Sequence, residues 1–257
     1  MINRTIYEAS AFVLSSLDYG ESDRIVTFFT DRYGKIRGIA KGARRSQKRF
    51  ANAIELFSYT RILFSRNRRD GLFLIENSDV IDHHPKIRES LEKTMAASYM
   101  IELTEQFALE GKSSKKIFCL LQDFFLFLKG ERFTEEFLRF FELRLMKLSG
   151  YDPILEGCVN CKTPLDKIEN PFFSAVDGGI VCKNCNRECA YSIPVSIGTL
   201  RTLLAGKEME MEKIHRLNLS RQSSMESRLI LENFIKFILG KELKSLRILR
   251  EIQQLVV

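Results

Sequence analysis

Short apolar runs alternate with turn-forming residues along the first eighty positions of the chain. Five of these runs are rich in β-branched or aromatic residues and are bounded by turn formers, a pattern typical of short strands. The runs are Tyr7–Leu17, Arg24–Thr30, Lys35–Ala40, Phe57–Phe64 and Leu72–Ile75. The connection between the second and third runs is too short for a crossover helix, so it predicts an antiparallel hairpin.

Five short strands without a long helix predict a small barrel over residues 1–80. The five-stranded OB-fold is the commonest barrel of this kind among proteins that bind single-stranded nucleic acids. An SH3-like barrel fits the same pattern and stays the alternative. Tyr33 and Phe50 are candidates for stacking on bases, although both could equally belong to the barrel core.

Apolar residues recur at helical intervals after residue 85. One stripe runs over Leu91–Leu103 and a second over Phe118–Leu128. A third helix is predicted over Glu135–Leu148, with Thr134 as its N-cap and acidic residues in its first turn. The many phenylalanines of this segment predict an aromatic-rich core.

A further helical block closes the chain. Helical spacing over Val195–Leu204, Ser224–Leu239 and Leu243–Val256 predicts three more helices. We expect residues 81–153 and 194–257 to form one helical bundle. The fold class is therefore predicted to be α+β with several domains.

The composition is that of a folded globular protein. The 257 residues suit two or three domains, and the hydrophobic fraction of 45% with 28% charged residues does not indicate disorder. The longest apolar stretch, Ile117–Leu128, is shorter than the ~20 residues that cross a bilayer. No secretory signal is evident at the N-terminus. We expect a cytoplasmic protein, not bound to membranes, whose thiols stay reduced.

Basic residues are concentrated near the amino end. The net charge of +7 divides into +5 for residues 1–80, zero for 81–150 and +2 for 151–257. Eight basic residues and no acid lie between positions 32 and 49: Arg32, Lys35, Arg37, Lys41, Arg44, Arg45, Lys48 and Arg49. The predicted loop between the last two strands adds Arg66, Arg68 and Arg69.

Such a cluster is typical of a surface that binds a polyanion. A solvated basic face or a disordered arm is the alternative. Ile36, Ile39 and Ala40 lie among the charges and favour a folded ribbon instead. We therefore predict that these eleven side chains bind nucleic-acid phosphates.

Two Cys-x-x-Cys pairs, Cys158 with Cys161 and Cys182 with Cys185, are separated by twenty residues. Four thiolates at this spacing can converge tetrahedrally on Zn²⁺, and four cysteine ligands leave no position open, so the metal would be structural. Cys189 could substitute as a ligand. Unrelated reduced cysteines or a redox pair are the alternative interpretation.

The segment between the two cysteine pairs predicts a short hairpin, formed by Pro171–Ser174 and Gly178–Val181. Residues 154–193 therefore resemble a zinc ribbon inserted into the helical bundle. So small a segment buries little apolar area, so metal binding would supply most of its folding free energy.

Catalytic motifs are not evident in the sequence. The three histidines have no evident nucleophile or carboxylate partner. The chain has no Gly-x-x-x-x-Gly-Lys-Ser/Thr loop, and Gly34, Gly38 and Gly42 lack the spacing of a dinucleotide-binding fingerprint. The sequence therefore predicts a protein that is not an enzyme.

Several segments resemble the bacterial RecO family of DNA repair proteins, and the resemblance covers nearly the whole chain. It is carried by the segments Tyr19–Arg24 (YGESDR), Gly34–Arg45 (GKIRGIAKGARR) and Leu138–Leu143 (LRFFEL), followed by Gly150-Tyr151. The Lys-Gly-Ala-Arg run is the most specific of these. The cysteines add support for a zinc-containing branch, although some family members lack them.

This resemblance implies an N-terminal OB-fold, a helical domain and a zinc module. It also implies a recombination mediator that binds single- and double-stranded DNA and anneals complementary strands coated by single-strand-binding protein. Such a mediator acts with the partner RecR to load the recombinase RecA, and is nucleoid-associated.

Family members also receive the acidic, phenylalanine-ended tail of single-strand-binding protein in the helical domain. Arg139 matches a family arginine near that site, and a cation beside a Phe-rich groove suits such a tail. An RNA-binding or translation-linked zinc-ribbon protein is the alternative function that the same charge and cysteines permit.

Overall fold

The computed structural model describes residues 5–46, 48–66, 71–130, 134, 136–186 and 192–256. The chain forms two compact units, Met1–Lys129 and Gly130–Val257. The division into a barrel, a discontinuous helical domain and a ribbon insert stays a prediction. None of the described helices combines the length and the apolar composition needed to cross a membrane.

Five strands of the first unit close into a barrel. They are β1 (Ile6–Tyr19), β2 (Asp23–Thr30), β3 (Gly34–Ala40), β4 (Tyr59–Arg66) and β5 (Phe73–Asp82). The strand order is β1-β2-β3-β5-β4, and every pair is antiparallel except β3 with β5. The predicted five-stranded OB-fold is thereby confirmed.

The barrel core follows from the two-residue period of the strands. Val26 and Phe28 on β2 point inward and pack with Ile36 on β3 and Ile62 on β4. Gly38 allows β3 to approach β5, because a Cβ at this position would lie 2.5 Å from the Ile75 side chain. A glycine inside the predicted strand therefore marks the place where the barrel closes.

Three helices complete the first unit: α1 (Pro85–Arg88), α2 (Leu91–Phe107) and α3 (Lys115–Leu128). The Ser90 and Ser114 hydroxyls cap α2 and α3 by accepting the N–H of Lys93 and Ile117. The ring of Phe12, on the outer side of β1, lies 5.5 Å from Phe118 and 5.2 Å from Phe125. Helix α3 thus packs on the barrel through aromatic rings.

The described residues of the second unit form four α-helices, two short 3-10 helices (Leu165–Lys167 and Met211–Arg216) and a small sheet. The α-helices are α4 (Phe137–Leu148), α5 (Ile197–Glu208), α6 (Arg221–Leu239) and α7 (Lys244–Val256). The strands are β6 (Phe172–Ser174), β7 (Gly179–Val181) and β8 (Ser192–Pro194), in the order β7-β6-β8. The hairpin predicted between the cysteine pairs is confirmed, and β8 extends it to a three-stranded sheet.

The predicted start of α4 was wrong. The helix begins at Phe137, so Thr134 lies before the N-cap position, in a turn where its carbonyl oxygen accepts the Phe137 N–H at 3.1 Å. Glu136 occupies the N-cap position without a side-chain hydrogen bond. Glu135 lies outside the described residues.

Candidate nucleic-acid interface and cysteine cluster

The carboxylate of Asp23 joins the β1–β2 turn to the β3–β4 connection. Its Oδ1 accepts the backbone N–H of Gly42 at 2.8 Å and the Ser22 hydroxyl at 3.0 Å. Gly42 has φ +68°, a conformation that glycine adopts without steric cost. The Gly42 N–H lowers the pKa of Asp23 below its usual value, so the carboxylate is charged at neutral pH.

Arg44 fastens the same two segments together. Its backbone N–H donates to the carbonyl oxygen of Ser22 at 3.0 Å, and its guanidinium lies 3.4 Å from the carbonyl oxygens of Gly20 and Glu21. The same guanidinium is 3.5 Å from the Asp18 carboxylate. Arg44 is therefore partly occupied in holding the connection on the barrel.

Arg24 pairs with two acids near this connection. Its guanidinium is 3.0 Å from Asp18 and 2.8 Å from Glu55. The hydrogen bond with Glu55 raises the pKa of Arg24, and Asp18 adds to the effect. Two carboxylates near the connection are therefore paired with Arg24, and Asp18 is shared with Arg44.

We call residues 41–49 the basic loop. The side chains of Lys41, Arg45 and Lys48 are exposed and form no ion pair within the described part of the chain. Arg49 is also exposed, donates to the Lys41 carbonyl oxygen at 2.8 Å and lies 5.1 Å from the Phe50 ring centroid. The basic loop therefore presents four exposed cations that form no ion pair with a described carboxylate, although the charge of Lys41 helps to lower the pKa of the nearby Asp23.

Lys35 has a structural partner. Its ammonium donates to the Glu105 carbonyl oxygen at 2.7 Å, in the last turn of α2. Its backbone N–H and carbonyl also bond to Leu109 and Gly111, at 3.4 and 3.1 Å. A cation is stabilised at a helix C-terminus by the helix dipole. Lys35 thus fixes the end of α2 on the barrel.

Arg32 lies away from the basic loop. It is in the β2–β3 turn, where its guanidinium is 72% exposed and 3.6 Å from Asp31. The seven residues of β3 place about 23 Å between this turn and the basic loop. The predicted cations before and after β3 are therefore at opposite ends of the strand.

Arg37 and Arg66 are exposed and have no ion pair among the described residues. Arg37 is in the middle of β3. Arg66 ends β4, where it pairs with Phe73, and Phe73 pairs with Gly38 on β3. Arg66 is thus two strands from β3. Arg68 and Arg69 lie outside the described residues.

A groove of about 300 Å³ lies on the outer face of β1, β2 and β3. It is lined by Ser15, Leu17, Ile25, Thr27, Lys35, Arg37, Glu105 and Glu110. Ser15 pairs with Thr27 and Thr27 with Arg37, so these three side chains form a row across the strands. The end of α2 borders the groove, and the Ser15 hydroxyl donates to the Glu105 carboxylate at 3.4 Å.

Tyr33 and Phe50 both pack with the barrel core. Phe50 is only 2% exposed. The half-buried Tyr33 ring lies 5.7 Å from Tyr7 and 5.3 Å from Phe64. Tyr19, which sequence reasoning did not consider for stacking, is 55% exposed at the end of β1.

The four paired cysteines converge in the second unit. Their sulfur atoms all lie within 4.8 Å of one another. Tetrahedral Zn²⁺ with Zn–S bonds of about 2.3 Å requires sulfurs about 3.8 Å apart. The Cys161 and Cys182 sulfurs are 3.7 Å apart, and the Cys182 N–H points at the Cys158 sulfur at 3.4 Å. The donor set therefore fits a zinc ion. Cys189 lies outside the described residues.

Comparison with known proteins gives a consistent result. The family model "Recombination protein O N terminal" matches residues 1–84, and "Recombination protein O C terminal" matches residues 88–247. The chain belongs to the RecO family. It is 44% identical over 257 residues to the DNA repair protein RecO of Syntrophus aciditrophicus, covering 99% of each chain. It is also 36% identical over 249 residues to the DNA repair protein RecO of Desulfatibacillum aliphaticivorans, covering 95% of this chain and 96% of that one.

Two segments that carry the resemblance to the RecO family meet in the Asp23 contact. Tyr19–Arg24 contributes the carboxylate, and Gly34–Arg45 contributes the Gly42 N–H. Sequence reasoning used both segments but did not find that they bind each other. A short acidic turn far along the chain from a glycine carries no indication of such a hydrogen bond.

Hydrogen bonds shift the pKa values of the thiols of the cysteine cluster in opposite directions in this RecO-family chain. The Thr163 hydroxyl and N–H lower the pKa of Cys161 to about 6. Hydrogen bonding with the sulfurs of Cys182 and Cys161 raises the pKa of Cys185 to about 12. A divalent cation would remove this conflict, because it stabilises every thiolate it binds.

Arg139, the predicted contact for a partner's tail, is buried. Its side chain is 3% exposed, 2.7 Å from Glu142 on the same helix and 3.6 Å from Glu232 on α6. Arg228 and Arg250 also pair with Glu232, at 3.1 Å in the case of Arg228. Arg139 thus belongs to a charge network that links α4, α6 and α7. Its role in tail binding stays a prediction.

Proposed function

We propose that this chain is a recombination mediator of the RecO type, which binds DNA and anneals complementary single strands. The observation that carries the proposal is the basic loop, whose four exposed cations form no ion pair among the described residues and are held against an OB-fold barrel. Membership of a DNA repair family supports DNA over RNA as the nucleic acid. The chemistry needs no covalent step.

The mechanism that we propose is charge screening. Two complementary strands repel each other through their phosphates, and cations of one protein surface reduce this repulsion. The four exposed cations of the basic loop, Lys41, Arg45, Lys48 and Arg49, predict a slope of log K against log salt of about −2.8 for single strands. Binding should be tight at low salt and tolerant of sequence.

The test is charge reversal of Lys41, Arg45 and Lys48 to Glu in one variant. The affinity for single-stranded DNA should fall across sequences, the salt slope should become shallower by about 2, and annealing of complementary oligonucleotides should slow. Three exposed lysines of the helices, Lys86, Lys115 and Lys116, give a control variant with the same change of net charge. Equal losses in both variants, or none in the first, would remove the basic loop from the DNA site.

We propose that partner proteins direct this activity. In keeping with its resemblance to RecO, the chain would receive the acidic tail of single-strand-binding protein in the helical part of the second unit and act with RecR to load RecA. Arg139 would then exchange a carboxylate of its network for one of the tail. A tail peptide with a free C-terminal carboxylate should bind more tightly than its amidated form, and equal binding would contradict a role for a cation at that end.

We propose that Cys158, Cys161, Cys182 and Cys185 hold one structural Zn²⁺. The convergence of their sulfurs and the unfavourable ionisation of the cluster support this assignment. The metal would hold the turns that carry the four cysteines, whereas the β6–β8 sheet also packs through Phe173 on Phe234 of α6, at a ring-centroid distance of 5.6 Å.

A further inference from the structure

We infer that the groove on the outer face of β1, β2 and β3 binds an unpaired nucleobase, and that Tyr19 stacks on it. This inference rests on the proposed DNA binding and deepens it, because it separates the contact for bases from the contact for phosphates. It assigns a stacking residue that lies outside the barrel core.

Tyr19 lies on the same face as the groove. Side chains of a strand alternate between its two faces, so Ser15, Leu17 and Tyr19 of β1 point to one side. Ser15 and Leu17 line the groove, and Tyr19 continues this row about 7 Å further along the strand. The ring is therefore at the rim of the groove, on the side of the β1–β2 turn.

The exposure of Tyr19 is exceptional in this unit. It is 55% exposed, whereas every other Phe or Tyr of the described part of the first unit is buried or half-buried. A large exposed ring gains nothing from folding unless something covers it. Bases stack on such rings in proteins that bind single strands.

The charges of the groove favour a base over a phosphate. Two cations, Lys35 and Arg37, are matched by two carboxylates, Glu105 and Glu110, so the lining has no net charge. Leu17 and Ile25 add apolar surface. Carboxylates repel phosphates but accept hydrogen bonds from the amino groups of cytosine and adenine.

The basic loop lies next to Tyr19 and supplies the net positive charge for phosphates that the groove lacks. Arg44 bonds to the carbonyl oxygens of Gly20 and Glu21, the two residues that follow Tyr19. A strand whose phosphates follow the basic loop can therefore place a base over the Tyr19 ring and into the groove. The volume of about 300 Å³ is at the lower end for ligand sites and suits a single base.

The geometry predicts discrimination between unpaired and paired DNA. Bases in a duplex are stacked on each other and cannot reach the ring, whereas phosphates are available in both forms. Replacing Tyr19 should therefore affect the binding of single strands, and leave the binding of duplexes and the salt slope unchanged.

The first experiment compares Tyr19→Ala and Tyr19→Phe with the unchanged chain. Phe237→Ala is the matched control, because Phe237 is 53% exposed on α6 in the other unit. The ligands are oligothymidylate, oligodeoxycytidylate, a duplex and an abasic deoxyribose phosphate strand with the same number of phosphates. Tyr19→Ala should weaken binding to the two strands that carry bases by about 5- to 150-fold, and Tyr19→Phe should retain most of the affinity.

Binding to the abasic strand and to the duplex should be the same for the unchanged chain and Tyr19→Ala. A loss of the same size on the abasic strand would assign Tyr19 to folding or to phosphate binding and overturn the inference. Full affinity of Tyr19→Ala for oligothymidylate and oligodeoxycytidylate would also overturn it. If the unchanged chain binds none of the four ligands, the proposed DNA binding itself fails.

A second measurement uses the absence of tryptophan from the sequence. Tyr19→Trp introduces a single indole, whose fluorescence a stacked base quenches. Single strands with bases should quench this variant, and the abasic strand should not. A Phe237→Trp variant should respond to neither. Equal quenching by the abasic strand would show that the ring does not contact a base.

Discussion

The Asp23 carboxylate accepts the Gly42 N–H at 2.8 Å, so an acid holds the basic loop in place. A negative charge beside a DNA-binding surface would weaken phosphate binding if it acted only through space. Here the same charge anchors the backbone that presents the cations. Repulsion of phosphates would lower the DNA affinity, whereas anchoring of the basic loop would raise it. A substitution of Asp23 can show which of these two effects is larger.

Asp23→Ala should weaken binding to single-stranded DNA by about three- to tenfold, because the basic loop loses a hydrogen bond to a charged acceptor. Asp23→Asn keeps an acceptor oxygen, so its affinity for single-stranded DNA should lie between those of Asp23→Ala and the unchanged chain. Affinity can be measured by fluorescence anisotropy. Glu21→Ala removes an exposed acid of the same turn. This variant should bind single-stranded DNA slightly more tightly, because it loses a negative charge that repels phosphates. Tighter binding by Asp23→Ala as well would mean that the carboxylate acts through its charge alone.

Lys35 and Arg37 should respond differently although they lie two residues apart on the same face of β3. Lys35→Met removes the hydrogen bond to the Glu105 carbonyl and should lower the free energy of unfolding by about 1–3 kcal/mol, with a small effect on DNA affinity. Arg37→Met should lower DNA affinity and leave the stability nearly unchanged. Denaturant titration and DNA titration of both variants check this, and the opposite assignment of the two losses would contradict it.

Removing one zinc ligand should release the metal without unfolding the barrel. Cys158→Ser should reduce bound zinc from one atom per chain to none and make residues 154–186 more sensitive to proteases, because the turns that carry the cysteines lose their shared ligand. Elemental analysis and limited proteolysis measure this. Cys119→Ser, in α3 of the first unit, should keep the metal. Retention of zinc by the Cys158 variant would refute the assignment.

His84 should make the first unit sensitive to acid. Its ring is buried near Phe12 and Phe125, at centroid distances of 6.1 and 5.0 Å, and burial lowers its pKa from 6.5 to about 4 although Asp82 opposes this. The unfolded chain therefore binds a proton between these values that the folded chain does not. Stability should fall as the pH drops from 7 to 4, by about 3 kcal/mol.

Amide hydrogen exchange of the barrel strands at several pH values tests the role of His84. Residue 84 has a left-handed backbone conformation, with φ 57°, which asparagine also adopts readily. The His84→Asn variant therefore keeps the backbone but has no side chain that can be protonated. It should be less stable at pH 7 but lose less stability on acidification. His83→Asn, at an exposed neighbour, should keep the full pH dependence. If the His84 variant kept the full pH dependence of stability, that dependence would have to come from other titratable groups.

The sequence by itself determined the elements whose pattern of residues is set by the local backbone conformation. Runs of β-branched and aromatic residues between turn formers located the five barrel strands, although Leu72–Ile75 covered only the start of β5. Helical spacing located the long helices, and the doubled Cys-x-x-Cys spacing selected the four sulfurs that converge. These patterns are readable because the period of a strand or helix is set by its own backbone, whatever it packs against.

Only the tertiary structure decided which cations are exposed and which are used in contacts within the protein. Lys35 is bound at the end of α2, Arg44 partly fastens the basic loop, and Arg139 is buried with Glu142 and Glu232, whereas Lys41, Arg45 and Lys48 remain exposed. The sequence cannot distinguish these cations, because the electrostatic role of a side chain depends on groups brought near it from distant parts of the chain. The same reason explains why Tyr19 is more than half exposed, whereas Tyr33 is half-buried and Phe50 is buried.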